Sequence, residues 1–510
     1  MSRPATKTNQ NADHGRAIGS IDSRQALQRG VLLAICAACV YLLIVGSFCF
    51  DFKQTNYPHH ILMADAMLHG QLDIRPEALE PLAERFRADL EQELQAIAQA
   101  TGHDLRPEEM ASIVQPRVAG KLAADWAVVG DRVYGYWAPL TPVLMMPFVA
   151  VFGVGVSDQV INVFFGALNV GLFYWLLRRV HRSGLCRMDD TLRTGLTLLL
   201  AFGTSHFWLT CTAQVWFAVQ IVTLTALLAA MIATCGSSSR VWQWLLGGFF
   251  FGAAILGRNI VGLVLPFFLL LIWQRARDAN EHRWRAFLCR ALAFGLPVAL
   301  AVGAQGMYNA ARFGDPLNGG LSVQVKTGGH SHFREAYDRY GTFSLHHVLH
   351  NARYYLWNWH LPRLADGRLW FDSEGNSMFL VTPPLLYLFL IWRRRTLFTA
   401  ALLAGAVPML AVLLSYFATG CVQFGPRYLL DVMPLLLLLV ASGMRGRLSE
   451  LGFVLIVLAC AANLFGTYRM CDAEFVLIRA WAAWWMLPAL VAVVLLAGLG
   501  VRLRNRRPAA

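Results

Sequence analysis

One candidate for acid–base chemistry in the sequence is Asp51, within the segment FDFKQTNYPHH. A carboxylate in this position could deprotonate a hydroxyl group, with the imidazole of His59 or His60 close by to orient it. The two histidines are neighbours and point in different directions, so at most one of them is expected to face a site. The alternative interpretation of Asp51 is a polar residue that marks the end of the preceding apolar run and pairs with Lys53 at the surface.

Asp125 is the second carboxylate candidate, and it lies within AADWAVVGDRVYGYWAPL. The segment VVGDRVYG predicts a tight hairpin with Gly130 and Asp131 at its tip. Asp131 is therefore interpreted as a turn residue rather than as a catalyst. Three tyrosines are candidate substrate-binding residues: Tyr57 and Tyr136, which lie in these two segments, and Tyr428, which follows Arg427.

Two arginines interrupt apolar runs at predicted turns, Arg258 in ILGRNIVG and Arg427 in QFGPRYLLDVMP. A guanidinium group at such a position suits bidentate binding of a phosphate or pyrophosphate, and Arg312 is a third candidate for this role. Asp431 follows Arg427 by four residues, which predicts an internal ion pair that is either functional or purely structural. The alternative for the arginines is contact with lipid head groups without a catalytic role.

The elements that position these residues belong to a membrane protein. The chain has 510 residues, of which 56% are hydrophobic and 15% charged, and its mean hydropathy is +0.47. These values exclude an ordinary soluble globule. The net charge of +13 is spread over many short connections, so anionic lipid explains it better than a nucleic-acid partner does.

The arginines fix the expected orientation, because positive charge in short loops stays on the cytoplasmic side. The connections expected to face the cytoplasm contain Arg178, Arg179, Arg182, Arg187, Arg275, Arg277, Arg283, Arg285, Arg393, Arg394, Arg395, Arg445, Arg447, Arg502, Arg504, Arg506 and Arg507. Functional residues are therefore sought in the opposite set of loops.

The apolar runs predict an all-α polytopic membrane protein with about 12 (11–13) transmembrane helices. The candidate spans are 31–50, 158–177, 194–210, 214–234, 241–257, 260–274, 287–308, 376–392, 397–416, 428–444, 450–467 and 480–501. The run 139–153 is short and contains three prolines, so we interpret it as a re-entrant or juxtamembrane element. The alternative is that it spans the bilayer and that a second weak segment also spans, so that the arginine-bearing connections still face the cytoplasm.

This topology places both termini in the cytoplasm, with tails at residues 1–30 and 502–510 around a transmembrane domain at 31–501. The first apolar run lacks a small-residue cleavage site, so we expect a retained signal anchor. Two outward loops are long, 51–138 and 312–375. In the first loop, apolar residues recur every three or four positions from Leu79 to Ile97, which predicts an amphipathic helix that lies on the membrane or caps a cavity.

Sequence motifs for nucleotide or metal chemistry are absent. The chain has no nucleotide-binding loop, no HExxH zinc helix and no Gly-x-Ser-x-Gly elbow, so neither ATP energy nor metal-dependent hydrolysis has support. We expect no cofactor, and the sequence gives no support for a divalent metal. Cys421 and Cys471 lie in predicted outward loops, where a disulfide between them could form.

Four segments carry a resemblance to a known family: YPHHILMADAMLHGQLDI, DWAVVGDRVYGYWAPLTPVLMMPFVAVFG, YNAARFGDPLNGG and QFGPRYLLDVMPLLLLL. Their order resembles the bacterial GT-C membrane glycosyltransferases, the relatives of protein mannosyltransferase and lipid A aminoarabinose transferase (glycosyltransferase family 39), over most of residues 31–445. The resemblance implies a GT-C fold, a polyprenyl-phosphate-linked sugar donor and an essential acidic residue in the first outward loop. Asp51 matches that residue by position. The family's Asp-Glu or Asp-Asp pair is missing there, so Asp65 and Asp125 remain rivals.

The resemblance implies transfer of a hexosyl or pentosyl group to a glycan, lipid or protein acceptor at the periplasmic face of the bacterial inner membrane. Such a donor carries a phosphate leaving group, so the site needs a base for the acceptor and cations for the phosphate. Two alternatives remain: a transporter or flippase of a lipid-linked or amphipathic solute, and a polymerase or ligase of surface polysaccharide. The sequence lacks the internal repeats that many transporters show, and its polar features gather in the outward loops, which favours the enzyme.

Overall fold

A computed structural model describes the chain as helices joined mostly by short connections. It describes residues 7–48, 52–101, 106–123, 125–237, 240–278, 282–323, 331–359, 363–365, 368–370, 372, 374–420 and 422–471. In chain order, the α-helices of these residues are α1 (Lys7–Phe48), α2 (His59–Leu68), α3 (Pro76–Thr101), α4 (Pro107–Ala123), α5 (Leu140–Phe152), α6 (Asp158–Arg182), α7 (Asp190–Phe202), α8 (His206–Thr212), α9 (Val215–Thr234), α10 (Val241–Gly257), α11 (Leu265–Asp278), α12 (Arg283–Phe313), α13 (Ser331–Tyr340), α14 (His346–Ala352), α15 (Met378–Val381), α16 (Leu397–Ser415), α17 (Met433–Gly443) and α18 (Glu450–Cys471).

The described residues also form two separate antiparallel hairpins. They are formed by β1 (Trp126–Val129) with β2 (Arg132–Gly135), and by β3 (Arg363–Ala365) with β4 (Arg368–Trp370). Both hairpins lie in segments that the sequence predicts as long outward loops, so the spanning part of the described chain is helical.

Seven helical stretches of the described residues are long and apolar enough to cross a membrane. They are Leu27–Ser47 within α1, α6, α9, Asn259–Asp278 ending in α11, α12, α16 and α18. This result confirms an all-α polytopic membrane protein. Two further apolar helices, α5 and α10, are shorter, and the predicted span 480–501 lies outside the described residues.

Four predicted spans are interrupted helices in the structure. They are 194–210, which divides into α7 and α8, 260–274, which begins as the 3-10 helix Asn259–Val264 before α11, 376–392, which forms α15 and the 3-10 helix Pro383–Arg393, and 428–444, which begins as the 3-10 helix Arg427–Val432 before α17. Pro383 and Pro434 lie in the first turn of the segment that follows the break in the last two cases. Proline is tolerated at that position because the missing N–H would have no partner there.

The proline-rich run 139–153 forms α5, which has 13 residues and a length of about 20 Å. The segment before α5 contacts Arg312 at the end of α12 through the carbonyl of Trp137. Val154, which follows α5, accepts a hydrogen bond from Gln54 in the first long loop. Both ends of α5 therefore contact the layer that carries the long loops, in agreement with a re-entrant or juxtamembrane element.

The first long loop folds as a helical cap, formed by α2, α3, α4 and the hairpin β1–β2. The predicted amphipathic helix is α3, and its apolar face packs in one cluster with α4 and β1 through Leu82, Phe86, Leu90, Leu94, Val114, Val118 and Trp126. This face is therefore covered by protein. Arg85 of α3 donates hydrogen bonds to the carbonyls of Gln54 and Thr55 at 2.9 and 2.8 Å, which fixes the cap on the segment that follows α1.

The ends of the helices form two distinct faces. Arginine-bearing connections meet on one face, where the Asp189 N–H donates to the Gly446 carbonyl and Arg394 donates to the Arg445 carbonyl. We call this the arginine-rich face; its described residues are 182–190, 236–237, 240, 278, 282–283, 393–396 and 444–450. The opposite face carries both long loops, and we call it the loop face. The grouping of arginines on one face agrees with the sequence prediction that the arginine-bearing connections and the long loops lie on opposite sides.

Candidate active site

The hairpin β1–β2 determines the position of Asp125 on the loop face. Trp126 pairs with Gly135 at the open end of the hairpin, and Gly130 at the tip has a φ of 62°, so the predicted turn is confirmed. Asp131 is exposed at this tip. Asp125 directly precedes β1 and also has a φ of 62°, a left-handed conformation that aspartate adopts more readily than most residues.

Aromatic rings from the cap surround the residue next to Asp125. The imidazole of His59 stacks on Trp126 with ring centroids 3.9 Å apart, and the Tyr57 ring lies 6.0 Å from that imidazole. Tyr57 also contacts Trp216 of α9, with centroids 4.8 Å apart. Two residues predicted from the sequence, His59 and Tyr57, therefore belong to one aromatic stack beside Asp125.

Asp125 interacts electrostatically with two phenol groups. Burial, and to a lesser extent the Asp125 carboxylate, raises the pKa of Tyr57. The same two causes, in the same order, raise the pKa of Tyr136 well above its ordinary value, whereas Arg427 lowers it slightly. Both phenols therefore remain protonated at neutral pH and can donate hydrogen bonds to anionic oxygens. The charges of Asp125 and Arg427 both act on Tyr136. Tyr136 therefore links the cap to the segment that contains Arg427.

Arg427 lies at the loop-face end of the segment that leads into α17, and it is buried. Its Nε donates to the Gly420 carbonyl at 2.8 Å, and its Nη2 lies 3.5 Å from the Tyr428 hydroxyl. The guanidinium also lies 5.2 and 4.9 Å from the ring centroids of Phe217 and Tyr428. Its buried Nη1 has no hydrogen-bond partner among the described residues. Buried donors are normally paired, so this nitrogen is available for an anion.

Arg258 approaches the ring of Tyr428 as well, at 5.3 Å from the ring centroid. Its Nε donates to Oδ2 of Asp431 at 2.8 Å. The predicted ion pair between Arg427 and Asp431 is therefore replaced by a pair between Arg258 and Asp431. The reason is local geometry: residues 427–432 form a 3-10 helix, in which a residue and its i+4 neighbour point in different directions.

Arg312, the third predicted phosphate-binding arginine, contacts the backbone of the hairpin. Its Nη1 donates to the carbonyls of Gly135 and Trp137, and its Nη2 donates to Oδ1 of Asn309 at 3.2 Å. Arg312 is 3% exposed. Because Tyr136 lies between the two carbonyls, these contacts fix its backbone. The arrangement favours a positioning role for Arg312 over direct phosphate binding.

The other acidic candidates differ from Asp125 in their surroundings. Asp51 lies outside the described residues. Asp65 of α2 is buried, pairs with Arg75 at 3.2 Å and lies 3.6 Å from Nδ1 of His69. Such a paired carboxylate anchors the turn after α2. Among the described acidic candidates from the first loop, Asp125 is therefore the one whose charge acts on Tyr57 and Tyr136.

His60 lies next to the aromatic stack but is unsuited to act as a base. Its Nε2 donates to the Val215 carbonyl at 3.2 Å, and its ring meets Trp137 edge to face at 5.8 Å. Burial, followed by the neighbouring His59, lowers the pKa of His60 to about 3. His60 is therefore neutral at physiological pH and a weak proton acceptor.

Three residues that the sequence analysis did not single out hold the segment around Arg427. Gln220 of α9 donates to the Arg427 carbonyl at 2.9 Å, and Oε1 of Gln423 accepts the Arg427 N–H at 3.1 Å. Nε2 of Gln423 donates to the Glu374 carbonyl in the second long loop. Gln220 is a lone amide inside the apolar helix α9. The sequence could have indicated it as a site residue, because a buried polar group needs a partner. The contact between Gln423 and Glu374 joins segments that are distant in the sequence, so no local sequence pattern indicates it.

Gly420 permits the close packing around Arg427. Its φ is +140°, and a Cβ atom at this position would clash with the carboxamide of Gln423. Glycine lacks that atom and adopts the required conformation without strain. The Gly420 carbonyl can therefore reach Arg427 while Gln423 binds the backbone of the same residue.

The site thus combines a carboxylate, two neutral phenol donors and two guanidinium groups at the loop face. Such a set can accept a proton at one end and stabilise a phosphate at the other. Within the described part of the chain, no group of three or more His, Cys, Asp or Glu side chains could hold a metal ion.

Comparisons with known proteins give one finding. No protein-family model matches the chain, and no curated protein matches its sequence. Among solved structures, the apo crystal structure of the Archaeoglobus fulgidus oligosaccharyltransferase is similar, with a TM-score of 0.39 and 12% sequence identity. The match covers 86% of this chain and 55% of that protein, so the chain spans about half the length of the oligosaccharyltransferase. At this score and identity, the similarity decides neither the fold nor the chemistry.

Proposed function

We propose that this chain is a membrane glycosyltransferase that moves one sugar from a polyprenyl-phosphate donor to an acceptor at the loop face. The observation that carries the proposal is the link made by Tyr136, which interacts electrostatically with Asp125 on one side and with Arg427 and Tyr428 on the other. The proposed base and the proposed phosphate-binding arginine therefore act on the same phenol. The resemblance of four sequence segments to GT-C glycosyltransferases supports the same reaction class.

In the proposed reaction, Asp125 accepts the proton of an acceptor hydroxyl group as the acceptor oxygen attacks the anomeric carbon. The bond between the anomeric carbon and the phosphate oxygen breaks, and its electron pair leaves with the phosphate. Arg427 and Arg258 stabilise the negative charge that develops there. The proton remains on Asp125 until the product departs. Because the donor already carries its phosphate leaving group, no nucleotide is consumed.

The neutral phenols have a defined role in this scheme. Tyr57 and Tyr136 keep their protons because burial raises the pKa of each phenol. Each can therefore donate a hydrogen bond to a sugar or phosphate oxygen without adding charge. We assign Tyr428 to the donor phosphate, because its ring lies close to both Arg258 and Arg427.

We assign the loop face to the periplasm and the arginine-rich face to the cytoplasm of the bacterial inner membrane. Arginine in short loops supports this orientation. Cys471, at the loop-face end of α18, is disulfide-bonded, and disulfides persist in oxidising compartments such as the periplasm. The partner predicted from the sequence, Cys421, lies outside the described residues.

The sugar and the acceptor, whether lipid, glycan or protein, are to be identified by experiment. Lipid extracts of a strain that lacks the protein are compared with extracts of the parent strain by mass spectrometry. A glycosyl-phosphoryl-polyprenol should accumulate in the deletion strain, and the purified enzyme in nanodiscs should consume that lipid when acceptor is added.

The rival function, transport or flipping of a lipid-linked solute, gives a different result in the same system. A flippase would move the labelled lipid across a proteoliposome membrane without breaking its glycosyl-phosphate bond. Translocation of the intact lipid, with no released polyprenyl phosphate in the presence of membrane extract as acceptor source, would reject the enzyme proposal.

A further inference from the structure

We propose that the arginine-rich face contains a binding site for the phosphate head group of an anionic membrane lipid. The site is a cavity of about 520 Å³ between the ends of α1, α6, α9 and α10. Its lining includes Leu27, Trp175, Arg178, Arg179, Arg182 and Gln243. This cavity lies at the opposite end of the helices from the candidate active site, and the proposed glycosyl transfer makes no use of it.

The lining of the cavity is rich in arginine. Three of its residues are arginines from the last turns of α6, and the described lining includes no aspartate or glutamate. Phosphate is the ligand that such a group of guanidinium donors recognises best, because each planar fork can bind two phosphate oxygens.

The guanidinium groups at and behind the cavity have unused donors. The buried Nε of Arg179 has no hydrogen-bond partner among the described residues, and the same is true of Nε and Nη2 of Arg275 and of Nη1 of Arg290. Arg179 and Arg275 both interact electrostatically with Cys235, so they lie near one another. Asp278 offsets part of the Arg275 charge and is 3.7 Å from Arg277.

The unused buried donors of Arg179, Arg275 and Arg290 are costly unless an acceptor satisfies them. The phosphate of a bound lipid supplies both the negative charge and the acceptor oxygens. The unused donors therefore indicate a site that is completed by a ligand.

Gly236 leaves room for Arg179 to face this cavity. A Cβ atom at position 236 would clash with the guanidinium of Arg179, to which its three nearest atoms all belong. The absence of a side chain is thus what permits the observed position of the guanidinium. A substitution at Gly236 can displace the charge of Arg179 without removing it.

The surroundings of the cavity favour a lipid over a free phosphate ion. Apolar side chains at the same end of α1 and α10 are exposed, among them Val31, Trp242 and Leu245. Acyl chains can lie along this surface while the head group occupies the cavity, and basic pockets between helix ends are typical sites for anionic head groups. Tryptophan is also enriched at the level of the head groups.

The test is native mass spectrometry of the full-length protein, titrated in detergent with phosphatidylglycerol and, as the zwitterionic reference, phosphatidylcholine. Arg179→Gln removes one guanidinium from the cavity, and Gly236→Ala displaces it at constant net charge. Arg395→Gln is the matched control, because Arg395 is an exposed arginine of the same face outside the cavity lining. Size-exclusion chromatography verifies that each variant is folded.

We expect the Kd for the first phosphatidylglycerol to rise about tenfold in Arg179→Gln, the effect of losing one charged hydrogen bond. Gly236→Ala should weaken binding in the same direction, and Arg395→Gln should leave it unchanged. Equal Kd values for Arg179→Gln and Arg395→Gln, with Gly236→Ala like the parent protein, would overturn the site. Stabilisation of lipid-free protein by inorganic phosphate to the same extent as by phosphatidylglycerol would overturn the assignment to a lipid.

Discussion

Replacement of Arg427 by alanine or lysine tests how the proposed enzyme stabilises its leaving group. In the proposed reaction the guanidinium has two separate tasks. Its Nε is used by the Gly420 carbonyl, whereas its buried Nη1 has no partner among the described residues. Alanine removes the contact with the Gly420 carbonyl and the unused Nη1 donor. Lysine keeps the charge, but a single ammonium group cannot reproduce the fork that holds the Gly420 carbonyl and a phosphate oxygen at once.

The size of the effect follows from what each variant loses. A preorganised donor to a developing anion contributes about 10²- to 10³-fold in rate, and Arg427 would supply such a donor together with a full charge. We therefore expect kcat/KM to fall by about 10³-fold in Arg427→Ala, which is ~4 kcal/mol of transition-state stabilisation. Arg427→Lys should lose about 10- to 100-fold, because charge remains without the fork.

The assay measures transfer from the accumulated glycosyl-phosphoryl-polyprenol by purified protein in nanodiscs. Arg339→Ala is the matched control, since Arg339 is an exposed arginine in the second long loop. Alanine at 427 leaves the Gly420 carbonyl without this donor, which costs about 1–3 kcal/mol, so rates are compared only after the Tm of each variant is known. Millimolar guanidinium ion should partly restore Arg427→Ala. Parental rates for a folded Arg427→Ala protein would refute a role in phosphate stabilisation.

Three further predictions follow from the same site and topology. Asp125→Asn should reduce kcat by about a hundredfold or more while donor binding persists. Asp65→Asn and Asp51→Asn are the parallel variants. A parental rate for Asp125→Asn together with an inactive Asp51→Asn would assign the role of the base to Asp51. Gln423→Leu should lower the free energy of unfolding by about 1–3 kcal/mol, measured as a lower Tm in detergent, and an unchanged Tm would contradict its anchoring role. Reporter fusions at Ala510 and within the second long loop should report opposite sides of the membrane, and identical sides would refute the topology.

Local sequence patterns were sufficient to predict those structural elements that depend on a few neighbouring residues. The hairpin tip at Gly130 follows from turn chemistry, and its φ of 62° confirms the turn. The apolar spacing between Leu79 and Ile97 predicted α3, although the structure covers its apolar face with α4 and the hairpin. The grouping of arginines on one face follows from the alternation of apolar runs and basic connections. Each of these signals is short-range, so a single sequence carries it.

The partners of the arginines could not be predicted in the same way. Arg258 and Asp431 are separated by 173 positions in the chain, and Arg312 and the Gly135 carbonyl by 177. The sequence paired Asp431 with Arg427 because the i+4 rule assumes an α-helix, whereas the segment is a 3-10 helix. Hydropathy likewise treats the run 428–444 as one continuous span. The helix breaks depend on tertiary contacts that hydropathy does not measure.

The pairing of Arg258 with Asp431 has a consequence for the charge of the proposed site. Two guanidinium groups, Arg258 and Arg427, and one carboxylate, Asp431, leave one positive charge in the cluster around Tyr428. A sugar linked to a lipid phosphate carries one negative charge, so the bound donor would neutralise the cluster. As the glycosyl bond breaks, the phosphate gains negative charge, and the ion pair with Asp431 keeps Arg258 close to Tyr428 at that moment. The cluster is therefore neutral when the donor is bound, and it attracts the additional negative charge only as that charge develops. Such a cluster stabilises the transition state more than the ground state.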